Sequence, residues 1–338
     1  MKSVAIAGMG FMGKTHLGVY LRHPGVRVAA LFDARPESLE LTRLDPGGNI
    51  ATGGGNVDLG GVRRFTDYGE LLDAGGFDFV DVCLPTHLHA EHCIAALERG
   101  YHVFCEKPLA LDGAEARRIV QAVRRTGRLM SVGQCLRYWP AYVEARRIVR
   151  EGRYGKPLAA ELVRLASPPT WSVDGWHSTA AQGGNAALDL HVHDADMILW
   201  LFGRPRSVRS AGVAAADGSY AHISTLYSYD GLAVTATGGW ICSSSYPFCM
   251  RALYVLERAT VDLDFRRTPP LRVYPHGGEP FEPELAPGDG YEHELDAFVA
   301  GLERGRLDDT VTVEGAAEAV ELCAAEIRSA REGREIAL

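Results

Sequence analysis

Short apolar runs separated by helix-length amphipathic stretches fill the first part of the chain. Residues 3–7, Ser3-Val4-Ala5-Ile6-Ala7, read as a buried strand, and residues 26–32 as a second. Between them the pattern predicts a helix over 14–22, stopped at His23-Pro24-Gly25. Another helix is predicted over 35–44, and a Gly-rich loop over 45–61 follows it. Residues 77–84 read as a further strand, 87–99 as a helix and 101–105 as another strand. A helix over 113–126 lies between a capping Asp112 and Gly127, and residues 129–133 give the last strand of this part. Strands alternating with helices of this length imply right-handed crossovers, hence an α/β fold with a doubly wound parallel sheet.

The grammar changes after residue 133. A helix over 140–151 opens at Trp139-Pro140, and a strand over 157–165 follows. An aromatic loop runs from Pro168 through Trp171 and Trp176 to His177, ahead of a helix over 184–202. Residues 205–274 read as several strands with hairpin punctuation, and helices over 291–304 and 314–332 close the chain. Consecutive strands predict an α+β second domain, its largely antiparallel sheet covered by helices on one face. The division expected is 1–133 and 134–338. The run 232–240 is not strongly polar on either alternation, so the open face is expected to pair copies into a homodimer or homotetramer.

Composition narrows the class. The 338 residues are 46% hydrophobic and 23% charged, with a formal net charge of −8 and no block of Lys or Arg. That excludes the basic footprint of a nucleic-acid or anionic-membrane binder. No apolar run is long enough to span a bilayer, and the first strand leaves no room for a signal peptide. Seven scattered cysteines without a CxxC suit a reducing cytoplasm and argue against a structural zinc.

The first strand runs into Gly8-Met9-Gly10-Phe11-Met12-Gly13, and Asp33 ends the second. Glycines let a backbone approach a pyrophosphate, a helix start offers it free N–H groups, and the acid takes the ribose hydroxyls. Asp33 favours NAD, while Arg35 leaves NADP possible. Two further loops lie beyond strand ends: the one spanning Leu84, Pro85, Thr86 and His89, and Glu106-Lys107-Pro108. Lys107 places an ammonium where nicotinamide and substrate meet. Asp189 and His193, four apart on the predicted helix, are expected to share a face and hydrogen-bond, which suits a histidine base. His191 is expected to point elsewhere and pack. A zinc set of His191, His193 and Asp194 fails on helix geometry, so no metal is expected. Arg137, Trp139, Trp176 and His177 are candidate substrate contacts.

These motifs, with Gly183-Gly184 leading to Asp189 and His193-Asp194, resemble the glucose–fructose oxidoreductase/inositol dehydrogenase/MocA (Gfo/Idh/MocA) family along almost the whole chain. The resemblance implies a Rossmann domain, an open-faced second domain and NAD(P)-linked chemistry on a sugar or cyclitol carbon. It implies that Lys107, with a commonly cis bond to Pro108, is the active-site lysine and that His193 is the acid–base catalyst beside Asp189. Leu84-Pro85-Thr86 departs from the Thr-Pro-Asn usual in that family. Two rivals stand beside it: a glycoside hydrolase that recycles its NAD, and a nucleotide-binding regulator without chemistry.

Overall fold

The computed structural model describes residues 1–45, 47–48, 54–170 and 173–338. The first lobe carries β1 (Lys2–Ala7), α1 (Phe11–Arg22), β2 (Val26–Phe32), the two-residue strands β3 (Arg43–Leu44) and β4 (Gly55–Asn56), and β5 (Arg63–Phe65). It continues through α2 (Tyr68–Ala74), β6 (Phe79–Val82), α3 (His89–Glu98), β7 (His102–Cys105), α4 (Gly113–Thr126) and β8 (Met130–Val132). Six strands form a parallel sheet in the order β5-β2-β1-β6-β7-β8. Helices cover both faces, so Val4 to Ala7 are fully buried and read as one continuous apolar run. The strand order reverses between β1 and β6, and a crevice opens there beyond their carboxyl ends.

Two elements differ from the sequence pattern. Residues 35–44 form only a 3₁₀ turn, Pro36–Leu39, before β3. Their buried anchors, Leu39 and Leu44, stand five apart, out of step with a helical turn. Strand β5 and helix α2 left no clear signal because β5 is a charged edge strand and α2 spans seven residues.

The second lobe holds α5 (Pro140–Arg150), β9 (Pro157–Leu165), α6 (Ala186–Asp189), α7 (Val192–Phe202) and β10 (Ser207–Ala214). Then come β11 (Tyr220–Ser228), β12 (Ala233–Gly239), β13 (Cys249–Leu256), β14 (Ala259–Asp264) and β15 (Leu271–Pro275). The chain ends with α8 (Gly290–Arg304), α9 (Val313–Glu332) and β16 (Ile336–Ala337). Its eight-stranded sheet runs β15-β14-β13-β9-β12-β11-β10-β16, antiparallel except for the β9–β12 pair. Leu162, Val234 and Tyr254 face a core shared with α5, α7 and α9, while Glu161, Leu226, Thr235 and Arg251 are exposed on the other face. The two closing helices bind the lobes together. Phe298 of α8 meets Phe79 and Phe104 of the first sheet edge-on, and α9 contributes Val320 to one core and Cys323 to the other. Among the described residues no helix is long and apolar enough to cross a membrane, and all seven cysteines are free.

Candidate active site

The glycine turn is built by close approach. A Cβ on Gly13 would sit 1.8 Å from the Gly8 carbonyl oxygen, and Gly8 itself takes a φ of +98° against the Cys83 backbone. Gly13 is therefore a packing residue and does not line the cleft, contrary to its expected cofactor contact. Gly10 faces open space. Helix α1 starts there with no side-chain cap and no acid in its first turn, so its leading N–H groups remain available to an anion. Across the turn, the nearly buried Asp33 accepts the Met9 N–H at 2.9 Å and the Arg35 N–H at 3.0 Å.

A cleft of about 1160 Å³ joins this turn to Arg35, Leu84, Pro85, Glu106 and Lys107, as the sequence motifs imply. Its far wall comes from the second lobe: Asp174, Trp176, His177 and Gln182. The residues present fit a dinucleotide: an uncapped helix start for the pyrophosphate and a carboxylate at the ribose end. Thr86 and His89 do not line it. Both are buried, and the His89 ring nitrogens lie 2.8 Å from the Pro108 and Leu84 carbonyl oxygens, tying the two loops together from behind.

Beyond Lys107 a second cavity of about 790 Å³ is lined by Trp139, His177, Asp189 and His193. Lys107, whose bond to Pro108 is cis, donates from Nζ to the Asp189 carboxylate at 3.1 Å and to the Asp189 carbonyl at 3.0 Å. This corrects the expected Asp189–His193 hydrogen bond. The helix predicted over 184–202 is interrupted between α6 and α7, where the His191 N–H bonds the Ala186 carbonyl five residues back. One such wide turn shifts the register, and the Asp189 carboxylate pairs with Lys107 instead of His193. The start of α6 is held by buried Asn185, at φ +61°, whose Oδ1 accepts the Ala186 N–H at 2.8 Å and the Trp240 indole N–H at 2.7 Å.

His191 fills the interruption and turns into the core. Its Nε2 lies 2.7 Å from Glu326 Oε2, whose other oxygen accepts the Tyr227 hydroxyl at 2.8 Å. His193 faces the cavity, and burial, with the nearby Lys107 and Arg164 cations, holds its pKa well below the usual imidazole value. It is neutral at physiological pH, as a base must be. Burial also lowers His177, whose ring stacks on Trp176 at 3.6 Å. Trp176 lines the nucleotide cleft and not the inner cavity.

Arg137 does not reach the cavity either. Its guanidinium forks onto Asp196 at 2.7 and 2.8 Å and onto the Thr310 carbonyl, making it a buried brace. Trp171 lies outside the described residues. Arg164, Trp240, Met250 and Tyr291 line the cavity without having been singled out. Arg164 alone left a signal, a cation on the inward alternation that it shares with Ala160 and Leu162; it is held by Asp194 at 3.0 Å.

The family model described as "Oxidoreductase family, NAD-binding Rossmann fold" matches residues 2–134, and that described as "GFO/IDH/MocA C-terminal domain" matches 142–260. The chain is 28% identical to inositol 2-dehydrogenase 2 of Saccharopolyspora erythraea, over 94% of this chain and 90% of the relative. It is 26% identical to inositol 2-dehydrogenase of Rhizobium meliloti, over 98% of both chains. Among solved structures, levoglucosan dehydrogenase in complex with NADH and levoglucosan superposes with a TM-score of 0.84 at 20% identity, covering 99% of each chain.

Proposed function

We propose, for a chain that belongs to the Gfo/Idh/MocA oxidoreductase family, transfer of hydride between NAD and a secondary alcohol or ketone carbon of a sugar, cyclitol or aminosugar. The observation that carries this reading is the convergence of Lys107, Asp189 and His193 on one cavity adjoining the cleft below α1. Bound nicotinamide supplies the hydride acceptor. Lys107 has three donors, two of them spent on Asp189, and the third serves the reacting oxygen. Its charge stabilises the alkoxide that develops as the proton leaves. His193, kept neutral, takes that proton at an imidazole nitrogen. Asp189 holds the ammonium in register instead of steering the histidine.

Asp33 favours NAD over NADP, since its carboxylate accepts from a ribose hydroxyl and repels a 2′-phosphate; Arg35 Nε, 3.4 Å away, is engaged by the same carboxylate. The open face around Leu226 and Thr235 is the surface through which copies pair into a dimer or tetramer, and light scattering giving a monomer mass contradicts that. Free cysteines suit a cytoplasmic setting.

Incubating the protein with NAD and a panel of inositols, sugars and aminosugars is expected to accumulate NADH. Release of an alcohol from a glycoside without NADH identifies a hydrolase instead. Tight NADH binding with no turnover of any panel member speaks for a regulator.

A further inference from the structure

Behind the floor of the cleft, polar side chains from three elements meet away from solvent. His16 of α1 is fully buried, with Nδ1 2.8 Å from Asp81 Oδ2 and Nε2 3.2 Å from Glu106 Oε1. Glu106 Oε2 accepts the backbone N–H of Lys107 at 3.1 Å, so this carboxylate fixes the peptide that carries the ammonium. Gly133 packs against it so closely that a Cβ there would lie 2.8 Å from Oε1. Among the described residues Oε1 has no hydrogen-bond partner, and neither has either oxygen of Glu294 on α8, which is 1% exposed. One atom each of His16, Glu106 and Glu294 lies within 4.8 Å of the other two.

Two carboxylates this close, both buried, do not ionise together. Glu106 is the one bonded to a backbone N–H and facing the imidazole, whereas neither oxygen of Glu294 has a hydrogen-bond partner among the described residues, an arrangement that favours the neutral form of Glu294. The surroundings agree. Burial, then Glu106, then Asp81 and Asp289 raise the Glu294 pKa well above the usual range, and His16 opposes them. Burial tends to discharge His16, yet Asp81 and Cys83 on β6 and its flank keep its pKa well above the ordinary value. Tyr20, on the same helix, stays neutral for the same reason of burial. The His16 Nε2–Glu106 Oε1 edge of this triangle is 3.2 Å and no edge exceeds 4.8 Å, a span that one water hydrogen-bonded to the three side chains bridges.

We propose that Glu294 is a positioning residue: a neutral acid that, through one buried water shared with His16, donates to the Glu106 carboxylate and thereby fixes the peptide bearing Lys107. Glu294 lies beyond the segment matched by the C-terminal family model, on the helix that stitches the lobes together. Only the kinetic consequence rests on the dehydrogenase reading.

The test compares Glu294→Gln with Glu294→Leu in the full-length, NADH-loaded protein. Gln is neutral and still donates; Leu does neither. With Leu, kcat is expected to fall at least about tenfold while NADH affinity stays within about threefold, and Gln restores most of the loss. Infrared spectra of the wild type are expected to contain the carbonyl stretch of a buried protonated carboxylic acid, absent from Glu294→Gln. That band is read without turnover, so it stands apart from any failure to find a substrate, and it remains decisive if the Leu variant does not fold. Wild-type kcat in the Leu variant, an equal loss in both variants, no such band, or one metal ion per chain by elemental analysis overturns the proposal.

Discussion

The Lys107 ammonium lies 3.1 Å from an Asp189 carboxylate oxygen and 3.0 Å from the Asp189 carbonyl oxygen, so a strand end of one lobe is pinned to a helix end of the other. Both side chains are largely buried, where a charge-assisted hydrogen bond is worth more than at the surface. Replacing Asp189 by Asn keeps the shape and removes the countercharge. The loss of about 1.5–3 kcal/mol expected for a hydrogen bond to a charged group corresponds to a kcat lower by roughly 10- to 150-fold. NADH affinity, measured by fluorescence titration, is expected to change little.

His193 sets the acid limb of the pH profile. Its folded pKa lies well below the ordinary imidazole value of about 6.5, so the imidazole is neutral above that pH and gains a proton only below it. Alcohol oxidation is therefore expected to hold level down to about pH 6.5 and to fall on further acidification. The profile of kcat/KM checks this, and His193→Asn is expected to abolish the limb along with most of the activity. Because the unfolded chain binds the proton more readily than the folded one, this group also makes the fold less stable as pH falls below 6.5.

Asp33 decides between the two dinucleotides. Asp33→Ser removes the acceptor for the ribose hydroxyls and the repulsion toward a 2′-phosphate. The ratio of kcat/KM for NAD to that for NADP is expected to drop by about tenfold or more. An unchanged ratio places the discrimination elsewhere.

Much of this site was legible because its motifs are local. A glycine turn must have a strand before it and a helix after it, and Lys107 stands at the tip of an apolar strand whatever the second lobe does. The pairing of Asp189 was not legible, because it depends on a wide turn held by Glu326, a residue from the last helix. Arg137 failed as a substrate contact for a similar reason. Its partner Asp196 lies on α7, and nothing in the order of residues says that the two meet. Thr86 and His89 belong to a motif that faces the cleft, but both side chains are buried in the protein, and that of His89 braces its loops.

The His191–Glu326 pair is expected to behave as a buried ion pair that stabilises the wide turn. Burial acts to lower the His191 pKa, and Glu326 outweighs it and raises the value above 6.5. Its contribution is thus full below that pH and is lost as pH rises through the raised pKa. Glu326→Leu alone leaves an uncompensated buried group and is expected to cost about 3–5 kcal/mol in denaturant melts. The double variant His191→Leu with Glu326→Leu is expected to recover most of that, and simple additivity of the two losses contradicts the pairing.

The central claim is that Lys107 stabilises the reacting oxygen rather than the bound nucleotide. Measuring kcat and the NADH dissociation constant of Lys107→Met side by side tests it most directly. The account predicts a kcat about 10²–10³-fold lower with the dissociation constant within about threefold of wild type. Unaltered turnover, or a loss confined to NADH binding, contradicts it.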